Sequence, residues 1–275
     1  MYMVPPFLAY YAADKGDLQL LKDTVRQCQL YRQVLQPNTT AAYKGAWMHI
    51  IGPESQDTGI WSTGNGWAAA GMARVLATVM KASFISDLAW KQQAISNLTQ
   101  YIKEIVDGSM NSSLDGGLLR NYLDDLDNKA HGFGEISGSS LIAATIYRMA
   151  VLQPQAFGSR YTTWADKIRT TLGGQSAGGD PHITAKGIAA PAVNPLNWLD
   201  TSPVTTGSPE GQVFVVLMYA GWRDCVKAAK CSTGTGGSAE GLSSSVVATD
   251  RLSRRRIHGG FRRHLSQIIH GSSTS

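Results

Sequence analysis

A pattern that occurs three times constrains the fold of this chain more than any other feature. A loop rich in glycine and polar residues leads each time into a helix that begins with small residues and continues as an apolar stretch: GIWSTGNGWAAAGMARVL, GFGEISGSSLIAATIYRM and TTGSPEGQVFVVLMYAGW. The copies begin about 70 residues apart, which is roughly two helices with their loops. This period predicts a toroid of helical hairpins whose inner helices begin at one rim, where loops carry the chemistry. Ordinary helix capping is the alternative explanation.

Helical spacing of apolar residues, together with start and stop signals, predicts seven helices. Their approximate ranges are 5–13, 18–35, 65–82, 87–106, 137–152, 161–172 and 209–229. Asp17 is the predicted cap of the second helix, and no convincing strand pattern is found. The predicted fold class is therefore all-α.

The composition changes after Lys230, so the predicted domains are a helical domain over 1–230 and a tail over 231–275. The tail holds six arginines against one glutamate and one aspartate, a charge of +4, whereas the other residues contribute +1. Serine and glycine supply 17 of its 45 residues, which predicts disorder. A solvated arginine cluster is favoured over a nucleic-acid partner. No apolar run is long enough to cross a membrane.

Five segments carry a resemblance. Residues 61–71 read WSTGNGWAAAG, similar to W-x-R-G-N-G-W-x-x-x-G, and 134–139 read GEISGS, similar to E-x-S-G-(S/T). The others are NYLDD at 121–125, EGQVF at 210–214, similar to G-Q-x-F, and MVPPFLAYY at 3–11, similar to M-x-x-P-F-L-A-x-x. In this order and spacing they resemble glycoside hydrolase family 105, the unsaturated rhamnogalacturonyl hydrolases, over about residues 1–230.

The resemblance implies an (α/α)6 toroid of twelve helices in six hairpins. Because seven helices are predicted, we expect a partial toroid that is incomplete at its N-terminus. It also implies hydrolysis of pectin-derived oligosaccharides that end in a 4,5-unsaturated galacturonyl unit, with an aspartate as proton donor and neither a cofactor nor a metal. The implied partner is the oligosaccharide substrate, without nucleic acid or membrane. An extracellular address is favoured, although no signal peptide is visible, and no oligomeric state is indicated.

Asp57 is the predicted catalytic residue, because it is the carboxylate nearest in sequence to the tryptophans of the first rim loop. A proton donor to carbon needs an apolar or aromatic pocket, and indole faces stack on sugar rings. A turn role for Asp57 and a packing role for the tryptophans are the alternatives. The predicted substrate-binding residues are His49, Trp61, Asn65, Trp67, Asp124 and Glu135. Helix capping is a second possibility for Glu135, and core packing for His49.

Three positions depart from the family pattern. Glycine stands at Gly52, where an H-x-x-D-like segment has aspartate, so Glu54 or Asp57 has to substitute. Thr63 replaces an arginine that could bind a sugar carboxylate through two hydrogen bonds. Met1 falls where a second aspartate is expected. These departures support an alternative, a catalytically inactive carbohydrate-binding or degenerate toroid. A basic-tailed interaction protein is a weaker third possibility.

Overall fold

Seven helices dominate the computed structural model, which describes residues 1–127, 132–174, 182–194, 196–197, 200 and 202–233. The helices are α1 Val4–Lys15, α2 Leu18–Leu35, α3 Ser62–Lys81, α4 Leu88–Asn111, α5 Ile136–Leu152, α6 Ser159–Gly173 and α7 Pro209–Lys227. The all-α prediction is confirmed, and each predicted helix is present. The largest difference is at the end of α4, which continues past the predicted end near residue 106.

Side-chain caps explain where α2, α4 and α7 begin, and Glu135 caps α5 as well. Asp17 accepts a hydrogen bond from the Leu20 N–H at 2.9 Å, as predicted. Asp87 caps α4 in the same way, and Ser208 caps α7 just before Pro209. Each cap satisfies a backbone N–H that the first turn of a helix leaves without a partner.

The helices alternate between two layers. Helices α1, α3, α5 and α7 pack on one another in that order, and α2, α4 and α6 each pack behind the preceding inner helix. The result is an arc of helical hairpins, which confirms the predicted partial toroid. Helix α5 has an inner neighbour on both sides and is buried along most of its length. Helices α1 and α7 end the arc and leave apolar residues such as Phe7 and Val216 exposed.

One short hairpin departs from the prediction that the chain forms no strands. Strand β1, Leu114–Asp115, pairs antiparallel with β2, Leu118–Leu119. Gly116 and Gly117 form the turn with φ of 55° and 84°, values that glycine adopts at no steric cost. A two-residue strand is too short to show the alternation by which strands are found in a sequence.

The three cysteines are all accounted for. Cys225 and Cys231 form a disulfide. Cys28 is buried in α2, where burial raises the pKa of its thiol to about 12. Met1–Thr233 form one compact unit. The predicted disordered tail from residue 234 onward lies outside the described residues. Within the described part of the chain, no helix has the length and hydropathy that a membrane span needs.

Candidate functional site

The starts of α3, α5 and α7 lie side by side, as a toroid of hairpins requires. A Cβ atom on Gly138 at the start of α5 would collide with Ser62 at the start of α3. A Cβ atom on Gly211 at the start of α7 would lie 2.9 Å from the Ser137 Oγ. Glycine therefore permits the close approach of the three inner helices, and the loops that precede them emerge together.

Glu135 ties two of these starts together. It is fully buried as the N-cap of α5, and it accepts hydrogen bonds from the Ser137 and Gly138 N–H groups. The Ser62 and Thr63 hydroxyls of α3 donate to it at 3.1 Å and 3.0 Å. The protein itself therefore supplies four donors to this carboxylate. Of the two roles considered from the sequence, helix capping is the one for which the structure shows contacts.

Asp57 lies in the first rim loop between two side chains. Its Oδ2 accepts from the Tyr122 hydroxyl at 2.5 Å and lies 2.8 Å from the His49 Nδ1, while its Oδ1 accepts from the Gly59 N–H. The side chain keeps 15% of its surface exposed. Asp57 also lines an open cavity of about 540 Å³ together with Tyr122 and Asp124. A ligand in this cavity could therefore reach the carboxyl.

The surroundings of Asp57 act on its ionisation in opposite directions. Burial raises the pKa of the carboxyl, but the hydrogen bonds from Tyr122, His49 and Gly59 stabilise the anion and outweigh burial. The resulting pKa lies below the usual aspartate value. Burial and the bond to Asp57 raise the pKa of Tyr122, so its hydroxyl keeps the proton that it donates. The pocket around Asp57 is thus more polar than a strong proton donor requires.

Two tryptophans extend this cluster. The rings of His49 and Trp61 lie 4.6 Å apart between centroids, and the Trp67 ring meets Trp61 edge to face at 5.0 Å. The Trp61 indole N–H donates to the Asn121 Oδ1 at 3.0 Å, which fixes the ring. The structure therefore brings Asp57, His49, Trp61 and Trp67 into one chain of contacts.

The other two predicted residues, Asn65 and Asp124, hold the loop through hydrogen bonds to the backbone. The buried Asn65 amide accepts from the Trp47 N–H at 2.7 Å and donates to the carbonyls of Trp47 and Trp61. Asp124 accepts from the Ile60 N–H at 2.9 Å and lines the cavity beside Asp57. These bonds set the path of the backbone on both sides of Trp61.

Two residues of the site were not singled out from the sequence. Tyr122 was noted only within the NYLDD segment, and its contact with Asp57 arises from a backbone bridge between Trp61 and Tyr122 that no local pattern encodes. Glu210 was noted only as part of a helix start. Burial raises the pKa of Glu210; the Trp67 side chain lowers it, and the charge of Glu135 raises it further. The sequence feature that could have indicated Glu210 is an acidic residue beside a proline at a helix start.

Known proteins share this architecture. A possible member of the GH105 family from Salmonella enterica serovar Paratyphi A has a TM-score of 0.62 at 18% identity, over 81% of this chain and 55% of that one. A family 105 glycoside hydrolase from C. acetobutylicum has a TM-score of 0.59 at 15% identity, over 81% and 63%. An unsaturated glucuronyl hydrolase from Bacillus sp. GL1 has 0.53 at 14%, over 80% and 56%. No curated protein matches the chain.

The chain thus spans little more than half the length of these solved structures, and at such low identity they establish the fold alone. The sequence itself carries the stronger evidence. The sequence model of the family described as Glycosyl Hydrolase Family 88 matches residues 1–216 of this chain. The family resemblance drawn from the five sequence motifs is confirmed, because solved structures of family 105 and of family 88 are both similar to this chain. The chain belongs to glycosyl hydrolase family 88.

Proposed function

We propose that this chain is a glycoside hydrolase that acts on oligosaccharides ending in a 4,5-unsaturated uronyl unit, of the rhamnogalacturonan type found in pectin. The observation that carries the proposal is the Asp57 carboxyl, which is held at the edge of a cavity by Tyr122 and His49, beside Trp61. Family membership over residues 1–216 supports a carbohydrate as the ligand. The Cys225–Cys231 disulfide supports an extracellular address, because disulfides persist in oxidising compartments.

In the proposed reaction, protonated Asp57 gives its proton to C4 of the unsaturated ring, and the positive charge develops at C5. Water adds to C5, and the Asp57 carboxylate takes the proton that this water releases. The resulting hemiketal opens, and the bond to the next sugar breaks. One carboxyl can serve both steps because it ends each cycle protonated.

The hydrogen bonds to Asp57 set the pH at which this reaction runs. Because the pKa of Asp57 is lowered, the donor form is scarce at neutral pH and becomes common only as the pH falls towards that pKa. We therefore expect the rate to rise from neutral into acidic solution. His49 and Tyr122 hold the carboxyl in place. Trp61 is buried against His49, and the partly exposed Trp67 offers its indole to a sugar ring.

The substitution Asp57→Asn tests the proposal, because the amide keeps the shape of the side chain and loses the transferable proton. We expect hydrolysis to fall at least about a hundredfold, the usual contribution of a general acid. Loss of ultraviolet absorbance by the unsaturated unit measures the rate. The matched control is Asp14→Asn, which makes the same change at an exposed position on α1. Full activity in Asp57→Asn would remove Asp57 from the mechanism.

A second candidate function is carbohydrate binding without catalysis. Thr63 favours it, because this residue stands where the family pattern has arginine and is buried with its hydroxyl on Glu135. The lowered pKa of Asp57 favours it as well. Wild-type protein that binds the unsaturated oligosaccharide but leaves its absorbance unchanged in acidic and neutral solution would establish this alternative.

A further inference from the structure

The sequence contains three N-x-S/T triplets, the acceptor motif for N-linked glycans. They begin at Asn38, Asn97 and Asn111, and none has proline in its middle position. The motif alone does not decide which asparagine is modified, because the enzyme that transfers the glycan has to reach both the amide and the hydroxyl two residues later. The surroundings of these two groups differ among the three sites.

Asn38 lies beyond the end of α2, in a segment that belongs to no helix or strand. The backbone is already extended at Gln36, the residue that ends the helix. Asn38 and Thr40 are both exposed, and within the described residues no hydrogen bond engages either side chain. Outside a helix, residues two apart can turn to the same side, as they do in an extended chain. The amide and the hydroxyl of this motif are thus both accessible.

Asn97 lies in the middle of α4, where the same motif is presented differently. Residues two apart in an α-helix point about 200° apart around the axis, so the amide of Asn97 and the hydroxyl of Thr99 face different sides. The Asn97 Oδ1 accepts a hydrogen bond from the Gln93 Nε2 at 2.7 Å, and the Thr99 hydroxyl donates to the Ile95 carbonyl at 2.7 Å. The helix therefore separates the two groups of the motif and engages each of them.

Asn111 is the last residue of α4 and is intermediate between the other two sites. Its side chain is exposed, and the backbone becomes extended at the next residue, Ser112. The hydroxyl of the motif belongs to Ser113, which is exposed but accepts a hydrogen bond from the Arg120 Nε at 3.3 Å. The structure thus restrains one of the two groups of this motif.

We propose that Asn38 is a site of N-linked glycosylation and is modified in preference to Asn97, with Asn111 between them. The donor is an oligosaccharide carried on a lipid pyrophosphate. The bond between C1 of the oligosaccharide and the pyrophosphate oxygen breaks with its electron pair on that oxygen. A bond forms between C1 and the Asn38 Nδ2, and the amide proton passes to solvent. The inference rests on the extracellular address in the proposed function, which the Cys225–Cys231 disulfide supports, and not on the proposed reaction.

Expression of the full chain behind a cleavable leader peptide in a eukaryotic secretory host tests the inference. Mass spectrometry of peptides, before and after treatment with a peptide N-glycosidase, measures the occupancy of each asparagine. We expect the ratio of modified to unmodified peptide to be at least about tenfold higher at Asn38 than at Asn97. Protein retained inside the secretory compartment is analysed together with the secreted protein, so poor secretion does not hide the result. No hydrolysis is measured, so the outcome is independent of the proposed reaction.

Two neighbouring threonines provide a matched pair of variants. Thr40→Val removes the hydroxyl of the motif and should abolish the modification of Asn38, whereas Thr39→Val leaves the motif intact and should leave Asn38 modified. Circular dichroism confirms that each variant is folded. Wild-type protein with unmodified Asn38, occupancy at Asn97 equal to or above that at Asn38, or modification of Asn38 that persists in Thr40→Val would overturn the inference.

Discussion

Glu135 is the N-cap of α5, and Glu210 lies in the first turn of α7, one hairpin further along the arc; their surroundings differ. Glu135 is fully buried and accepts four hydrogen bonds from the protein. Glu210 is partly exposed in the first turn of α7, where burial raises the pKa of its carboxyl. Glu135 thus joins two inner helices from within the arc, whereas Glu210, on the helix that ends the arc, keeps part of its surface exposed.

The substitution Glu135→Ala should give the largest effect on stability. It leaves two buried hydroxyls and two helix-start N–H groups without their acceptor, which costs about 3 kcal/mol in free energy of unfolding. Urea denaturation followed by circular dichroism measures the change. Glu54→Ala, at an exposed turn, is the control and should change stability by less than about 0.5 kcal/mol. Equal effects at the two positions would contradict the joining role of Glu135.

The substitution Tyr122→Phe should make the ionisation of Asp57 more like that of Glu210, whose pKa is raised. The reason is that it removes a hydrogen bond that stabilises the Asp57 anion. The pKa of Asp57 should rise, and stability at neutral pH should fall by about 1 kcal/mol.

The sign of the pH dependence follows from the lowered pKa of Asp57. Its contribution to stability is present above the pKa of the unfolded chain and is lost as the pH falls through the folded value. In Tyr122→Phe this loss should be smaller and should be complete at a higher pH. Carbon-13 NMR of the carboxyl groups follows the titration directly. An unchanged Asp57 titration would show that the Tyr122 hydroxyl does not set it.

Glu210→Gln should give the smallest effect on stability, within about 0.5 kcal/mol at neutral pH, because the side chain is only partly buried. Its raised pKa gives a sign opposite to that of Asp57. The contribution of Glu210 is fully present below the pKa of the unfolded chain and is lost as the pH rises through the folded value. Thermal unfolding of the wild type and of Glu210→Gln across this range measures the difference. A loss as large as that of Glu135→Ala would erase the distinction between the two glutamates.

The sequence predicted the helices well because their signals are local. Apolar spacing and caps such as Asp17 depend on residues within a few turns of one another. The order of the hairpins followed from the repeated loop-to-helix pattern, since a fixed period reports a repeated packing unit. The hairpin at Leu114–Leu119 was missed because its strands have two residues each.

The site was predicted less completely, because its contacts join distant parts of the chain. Asp57 and Trp61 were found through their motif, but Tyr122 reaches Asp57 from 65 positions away. Glu135 is fully buried and Glu210 is not, and this difference depends on which helices lie beside each residue in the arc. No property of the two glutamates in the sequence distinguishes a residue inside the ring from one at its edge.

The glycines at positions 138 and 211 have a consequence for how such a chain can evolve. A Cβ atom at Gly138 would collide with Ser62, and one at Gly211 would press on the Ile136 and Ser137 side chains, so these helix starts lie closer together than a larger residue would allow. The loops between these fixed anchors can then change length and composition without moving the anchors. A family built in this way can acquire new substrates by exchanging loops while it inherits the ring unchanged.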